Sequence, residues 1–150
     1  MKTISFPEGS KPYMLRVAPD GQVVWVQSTD ANSNVVLDAA TMEILHTEPT
    51  GRGPVQSAFG PPGSRYGLVT HLDETFVLAL NHDTGRKAGR IEVGAPQANA
   101  SITPDGATAY VTLPSRAEVV VIDMEALAEV GRIPAGGEPM GIVVFDPAGA

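Results

Sequence analysis

The residues best suited to chemistry form a short polar cluster, His71, Asp73 and Glu74. An imidazole beside carboxylates can exchange protons near neutral pH, and the same groups can bind divalent metal ions. A metal site would also need carboxylates from other parts of the chain, such as Asp30, and the spacing fixes no such geometry. We therefore predict no metal site and no catalytic residues, and assign His71, Asp73 and Asp30 as candidate ligand-binding residues.

Two arginines, Arg52 and Arg116, complete the candidate binding residues. Guanidinium groups bind carboxylate and phosphate groups through paired hydrogen bonds, so two of them could hold an anion. The sequence has no phosphate-binding glycine loop, no nucleophile elbow and no paired-histidine metal motif, and we predict no cofactor. Of the other histidines, His46 is predicted to lie on the surface of a strand and His82 in a turn.

The composition excludes several classes of partner. The formal net charge is −7 and no basic run reaches four residues, which argues against nucleic acid and against an anionic membrane surface. The chain has no cysteine, so disulfides and thiolate metal sites are excluded. No apolar run approaches the roughly 20 residues that span a bilayer, and we expect no membrane insertion.

The start of the sequence bears on localisation. The first eight residues lack the apolar stretch of a secretory signal. If the chain is complete as written, we expect a cytoplasmic location. Localisation otherwise stays unknown at this stage.

A repeat organises the elements that must position these side chains. A Gly-x-Pro or Gly-x-x-Pro element ends at Pro12, Pro54, Pro96 and Pro139, and these prolines are 42, 42 and 43 residues apart. A turn residue, Asp38, Asn81 or Asp123, precedes the glycine of the next repeat by 13 residues in every case. The repeats run over about 9–50, 51–93 and 94–135, and residues 1–8 and 136–150 match parts of flanking repeats.

Each repeat contains four short Val- and Ile-rich segments separated by turns such as Pro19-Asp20-Gly21 and Pro104-Asp105-Gly106. Four antiparallel strands in about 40 residues are the size of one β-propeller blade. The sequence predicts an all-β fold, a β-propeller fragment of about three four-stranded antiparallel blades with one partial strand at each end. A β-sandwich is the alternative, although it needs no equal period.

One segment conflicts with this register. Residues 124–130 have helix-forming composition. The repeat nevertheless places a turn and the start of a fourth strand there, and we expect tertiary packing to prevail over local propensity.

The blade topology sorts the polar residues between two faces. The loops between blades and those between the second and third strands share one face, where ligands of propellers commonly bind. This face carries all five candidate residues, and also Lys11 and Glu138. The turn residues Asp20, Asp38, Asn81, Asp105 and Asp123 fall on the other face, where we predict structural Asx turns.

The third repeat resembles the YVTN β-propeller repeat. Ile102-Thr-Pro-Asp-Gly-Ala-Thr-Ala-Tyr-Val-Thr112 carries three letters of the motif, and Leu113 stands where the family usually has Asn. The first repeat has Trp25 in place of the Tyr, and the second is the most divergent. The resemblance covers nearly the whole chain and implies a propeller, often seven-bladed, in the periplasm or outside the cell. It is specific for fold, because the motif residues form turns and packing contacts.

Three blades are fewer than the usual minimum of about four, and their open faces would be prone to aggregate. Three accounts stay open: the chain is a piece of a longer propeller, it self-associates to close a ring, or it forms a small open array.

The leading functional hypothesis is a scaffold that binds an unknown small molecule or protein without catalysis. One alternative is half of a seven-bladed propeller enzyme, similar to lactonases, lyases or dehydrogenase subunits, with its site on the face of the inter-blade loops. The other alternative is a structural repeat protein of the envelope or cell surface.

Overall fold

The computed structural model describes residues 3–6 and 8–145, and these contain twelve strands in three separate sheets. Each sheet is an antiparallel meander of four consecutive strands. Blade 1 consists of β1 (Pro12–Val17), β2 (Val23–Ser28), β3 (Ser33–Asp38) and β4 (Ile44–Pro49). Blade 2 consists of β5 (Pro54–Phe59), β6 (Tyr66–His71), β7 (Phe76–Asn81) and β8 (Lys87–Glu92). Blade 3 consists of β9 (Ala100–Ile102), β10 (Thr108–Leu113), β11 (Glu118–Asp123) and β12 (Ala128–Pro134).

Short polar side chains shape the turns that the repeat predicts. The carboxylate of Asp38 accepts hydrogen bonds from the backbone N–H groups of Ala40 and Thr41 at the β3–β4 turn. Asn81 and Asp123 accept equivalent bonds at the corresponding turns of blades 2 and 3. Asp38, Asn81 and Asp123 therefore form the predicted Asx turns.

The segment of helix-forming composition is a turn followed by a strand. Leu127 has a φ of 51° at the end of the turn, and β12 begins at Ala128. Pairing of β12 with β11 supplies the backbone hydrogen bonds that a helix would otherwise have made. Tertiary context therefore prevails over local propensity, as predicted.

Apolar side chains fill the two spaces between neighbouring blades. Between blades 1 and 2, Trp25 is fully buried against residues of blade 2 that include Val69, Phe76 and Leu78. A larger cluster joins blades 2 and 3 and includes Leu68, Val111 and Ile122. Both clusters arise because central strands are apolar on both faces, as strands packed between neighbours must be.

The outer faces of blades 1 and 3 are covered only in part. Leu15 and Val17 of β1 are more than half exposed, and Ile133 of β12 is 47% exposed. On blade 1, Ile4 and Phe6 pack against four buried valine and leucine side chains of the central strands, Val24, Val26, Val35 and Leu37. On blade 3, the backbone N–H of Val144 donates to the Ser101 hydroxyl, and residues 142–145 border an apolar groove over Tyr110 and Val119. Neither segment, 3–6 or 141–145, is in a regular strand.

The remaining parts of the predicted flanking repeats, residues 1, 2, 7 and 146–150, lie outside the described residues. Over the described ranges, no helix has the length and apolar character needed to cross a membrane.

Candidate functional site

The loops of the predicted binding face are fastened to one another by backbone hydrogen bonds. We call this surface, formed by residues 9–11, 29–32, 50–53, 72–75, 94–99 and 113–117, the loop face. Thr29 N–H donates to the carbonyl of Lys11, and Leu72 N–H donates to that of Gly53. In both blades the loop that enters the blade is thereby joined to the loop between its second and third strands. The same region of blade 3 is joined through Thr112 N–H and the carbonyl of Asn99.

Arg52 is held by the loop between β6 and β7. Its Nε lies 3.2 Å from Glu74 Oε1, its backbone N–H donates to the same oxygen, and its Nη2 donates to the carbonyl of Asp73. The pKa of the Glu74 carboxyl is lowered, chiefly by the hydrogen bond from the Arg52 backbone. The charge of this arginine is therefore matched by a neighbouring carboxylate.

Arg116 and Asp30 have partners of different kinds. Arg116 Nη2 donates to the carbonyl of Gly94 over 2.7 Å, so it fastens the loop between blades 2 and 3 while its charge faces a neutral group. Asp30 lies 3.6 Å from the Lys11 ammonium, and both side chains are mostly exposed. Arg52 and Arg116 thus belong to different inter-blade junctions, and the structure shows no shared anion clamp between them.

His71, the central residue of the predicted cluster, lies in the core. Its exposed fraction is 0%, its ring packs at a tilt of 45° with its centroid 5.1 Å from that of Phe76, and Gly51 lies over it. Burial lowers its pKa to about 4, against weaker opposing effects of the Phe76 backbone and the Glu74 charge. Neither ring nitrogen has a hydrogen-bond partner within the described part of the chain. The ring is therefore neutral at physiological pH and closed to solvent.

Asp73 is exposed beside this buried ring. Its carboxylate lies close to Gly53, since a Cβ built on that glycine would be 2.9 Å from Asp73 Oδ2. Of the five predicted residues, Asp30, Asp73, Arg52 and Arg116 are thus exposed on the loop face, whereas His71 is beneath it.

Two glutamines that sequence reasoning missed connect blades 2 and 3. Gln97 Oε1 accepts a hydrogen bond from the backbone N–H of His71, and Gln97 Nε2 donates one to the carbonyl of Glu74. Gln56 of β5 exchanges hydrogen bonds with both the N–H and the carbonyl of Ala100. Both are almost fully buried. Their position shortly after an inter-blade proline, Pro54 or Pro96, is the signal that could have identified them.

The innermost strands border a further cavity of about 210 Å³. Arg16 of β1, Gln56 of β5 and Ser101 of β9 supply its polar lining. One inner strand of each blade contributes to it, so it lies on the side where the three blades converge. Among the described residues that line it, Arg16 alone is charged.

The histidines outside the loop face have carboxylate partners. His46 Nε2 lies 2.7 Å from Glu48 Oε2 on the partly buried outer strand β4. His82 Nδ1 lies 3.0 Å from Asp83 Oδ1 in the β7–β8 turn. His82 is buried, although the sequence suggested an ordinary solvated turn between β7 and β8.

Comparison with solved structures decides the fold. The Cps50 (Swd1) β-propeller domain of Myceliophteria thermophila superposes with a TM-score of 0.71 at 17% identity, over 87% of this chain and 39% of that one. The chain has a β-propeller fold. Hydrazine synthase of Kuenenia stuttgartiensis gives a TM-score of 0.84 at 23% identity, over 98% of this chain and 42% of the other. AztD of Citrobacter koseri gives 0.75 at 18% identity, over 95% and 39%.

This chain therefore spans about two fifths of the length of the propeller proteins that it matches. No family model matches its sequence, and no curated protein does. At these identities the likeness concerns the fold alone.

Proposed function

We propose that this chain is part of a YVTN-type β-propeller that binds a small molecule or a protein on its loop face. The observation that carries the proposal is the way its loops are built. Backbone hydrogen bonds and the Arg52, Arg116 and Gln97 contacts fix the loops in place, while different side chains are exposed in each blade. A rigid scaffold with variable exposed groups is suited to selective binding.

The state of the polar residues supports binding more than catalysis. A general acid–base group must be within hydrogen-bond reach of its substrate, and His71 is covered by Gly51 and Phe76. Arg52 is already paired with Glu74. A propeller enzyme would therefore need its reactive groups elsewhere, and the structural likeness to hydrazine synthase supports only a shared scaffold.

The open faces of the isolated chain suggest a second copy of the same chain as a partner. Blade 1 and blade 3 already use their inner faces to pack on blade 2, and their outer faces carry apolar side chains of the same kind. Another copy presents both types of face, so blade-to-blade packing could continue between chains. We propose this association for the chain on its own, with a longer propeller as the alternative way of covering the same surfaces.

Mapping of bound probes by NMR tests the loop-face proposal. A library of small neutral, anionic and cationic fragments is titrated into ¹⁵N-labelled protein, and amide shift changes are mapped on the structure. We expect the changes to cluster on the loop face, and to weaken in Asp73→Asn and Arg116→Gln but not in Glu125→Gln on the opposite face. Clustering on the opposite face or in the inner cavity would overturn the proposal.

A further inference from the structure

Three side chains of types that can coordinate metal ions meet at the junction of blades 1 and 2, on the face opposite the loop face. Asp20 belongs to the β1–β2 turn, and His82 and Asp83 belong to the β7–β8 turn. One carboxylate oxygen of each aspartate and one imidazole nitrogen all lie within 4.8 Å of one another. The cluster joins residues that are about 60 positions apart in sequence, which only the packing of one blade on the next can bring together.

The histidine of this cluster is buried, whereas both carboxylates are exposed, and Asp20 Oδ1 accepts a hydrogen bond from the backbone N–H of Gln22. The His82 side chain is 1% exposed and the Asp83 side chain 82% exposed. The imidazole packs edge-on against Phe59 with ring centroids 5.1 Å apart. Its Nδ1 faces Asp83, and its Nε2 has no hydrogen-bond partner among the described residues. Burial thus presents one ring nitrogen toward two solvent-accessible carboxylates.

The other blades show that the turn does not require a histidine. The backbone N–H of His82 donates to the carbonyl of Arg65, and the N–H of Met124 makes the corresponding bond to Ala107 in blade 3. Met124 is therefore the structural equivalent of His82, and it is buried as well. His82, whose Nε2 has no hydrogen-bond partner among the described residues, thus stands where blade 3 has the apolar side chain of Met124.

Of the two carboxylates, that of Asp20 is specific to this junction. Matching turn hydrogen bonds align Asp20 of blade 1 with Gly63 of blade 2. Asp83 aligns with Glu125, which follows Met124. The junction of blades 2 and 3 therefore presents Gly63 and Met124 at two of the three positions, and lacks both the imidazole and the first carboxylate.

We propose that Asp20, His82 and Asp83 bind a divalent transition-metal ion that links blade 1 to blade 2. One imidazole and two carboxylates are a donor set that Zn²⁺ accepts, with bonds of about 2.0–2.2 Å and water in the open position. Such bonds bring neighbouring ligand atoms to about 3.3 Å in a tetrahedral site. Rotation of the exposed Asp20 and Asp83 side chains closes the remaining distance. Coordination requires an unprotonated ring nitrogen.

Calorimetric titration of the full chain with Zn²⁺ tests the proposal, with the thermal midpoint as a second readout. We expect one ion per chain and a higher midpoint in the presence of Zn²⁺. Asp20→Asn and His82→Met should each raise the Kd by about tenfold or more. Methionine is chosen because Met124 occupies the same place in blade 3, so this variant is expected to fold.

Matched controls separate this site from the other histidines and turns. Asp105→Asn removes the carboxylate of blade 3 that is equivalent to that of Asp20. His46→Gln removes the imidazole of the partly buried His46–Glu48 pair on β4. Both should bind Zn²⁺ as the unchanged chain does. The proposal is overturned if the chain binds no Zn²⁺, if His46→Gln abolishes binding, or if Asp20→Asn and His82→Met both keep the original Kd. Should His82→Met not fold, Asp20→Asn alone decides.

Discussion

Buried His71 makes the stability of this fold depend on pH in a calculable way. Its pKa is about 4 in the folded chain and 6.5 in an unfolded one. Between these values the unfolded chain binds a proton that the folded chain does not, so the free energy of unfolding decreases as pH falls from 6.5 toward 4. The difference between the two pKa values corresponds to about 3 kcal/mol, which is fully lost below pH 4.

A matched variant isolates this contribution from that of the carboxylates. Leu113 of β10 occupies the position in blade 3 that His71 occupies in blade 2, at the end of the second strand, and it is also fully buried. We therefore expect His71→Leu to fold. Between pH 7.5 and pH 4 its free energy of unfolding should fall by about 3 kcal/mol less than that of the wild-type chain. At pH 7.5 the substitution should be near neutral, because both ring nitrogens lack partners.

Urea unfolding followed by fluorescence measures the difference. Trp25, the single tryptophan, is fully buried between blades 1 and 2 and reports their separation. Unfolding curves are recorded for both proteins at five pH values from 7.5 down to 4. Parallel pH profiles for His71→Leu and the unchanged chain would refute the reasoning, and so would an NMR titration that gives the folded His71 ring a pKa near 6.5.

Two further changes test the packing. Gly67→Ala should lower the free energy of unfolding in urea by about 1–3 kcal/mol, because the added Cβ would lie 2.9 Å from the Trp25 ring. Gly131→Ala is the control, since a Cβ there would meet no atom within 4 Å. Equal effects of the two substitutions would contradict this packing. Leu15→Glu on the open face of blade 1 should reduce the mass of the isolated chain measured by light scattering after size exclusion, whereas Leu72→Glu on the loop face should not; the same mass for both would contradict association through the open face.

The repeat made most of the fold predictable. The inter-blade prolines recur at nearly equal intervals, and turn residues such as Asp38 and Asp123 recur with them. Both report local backbone geometry, which the sequence encodes directly. For the same reason the turn at 124–127 could be predicted against its helical composition. The aligned positions of neighbouring repeats supplied information that a single segment lacks.

The site was less predictable because it depends on depth and on contacts between blades. His71, Asp73 and Glu74 are close in sequence, yet His71 ends the buried strand β6 beneath Gly51, whereas Asp73 lies in the exposed loop that follows. Asp20 and His82 meet only through blade packing, and each looks like an ordinary turn residue on its own. Sequence pattern indicates which face a residue occupies more readily than how far it is from solvent.

The arrangement of the two apolar clusters has a consequence for how the fold opens. Blade 2 has a packed apolar face on each side, whereas blades 1 and 3 each have one such face toward the rest of the chain. In a linear array stabilised by nearest neighbours, a terminal unit can detach by breaking a single interface, and a central one must break two. Amide protons of β6 and β7 should therefore exchange most slowly, and fraying should proceed from the two outer blades inward. We therefore expect the middle blade to be the last of the three to unfold.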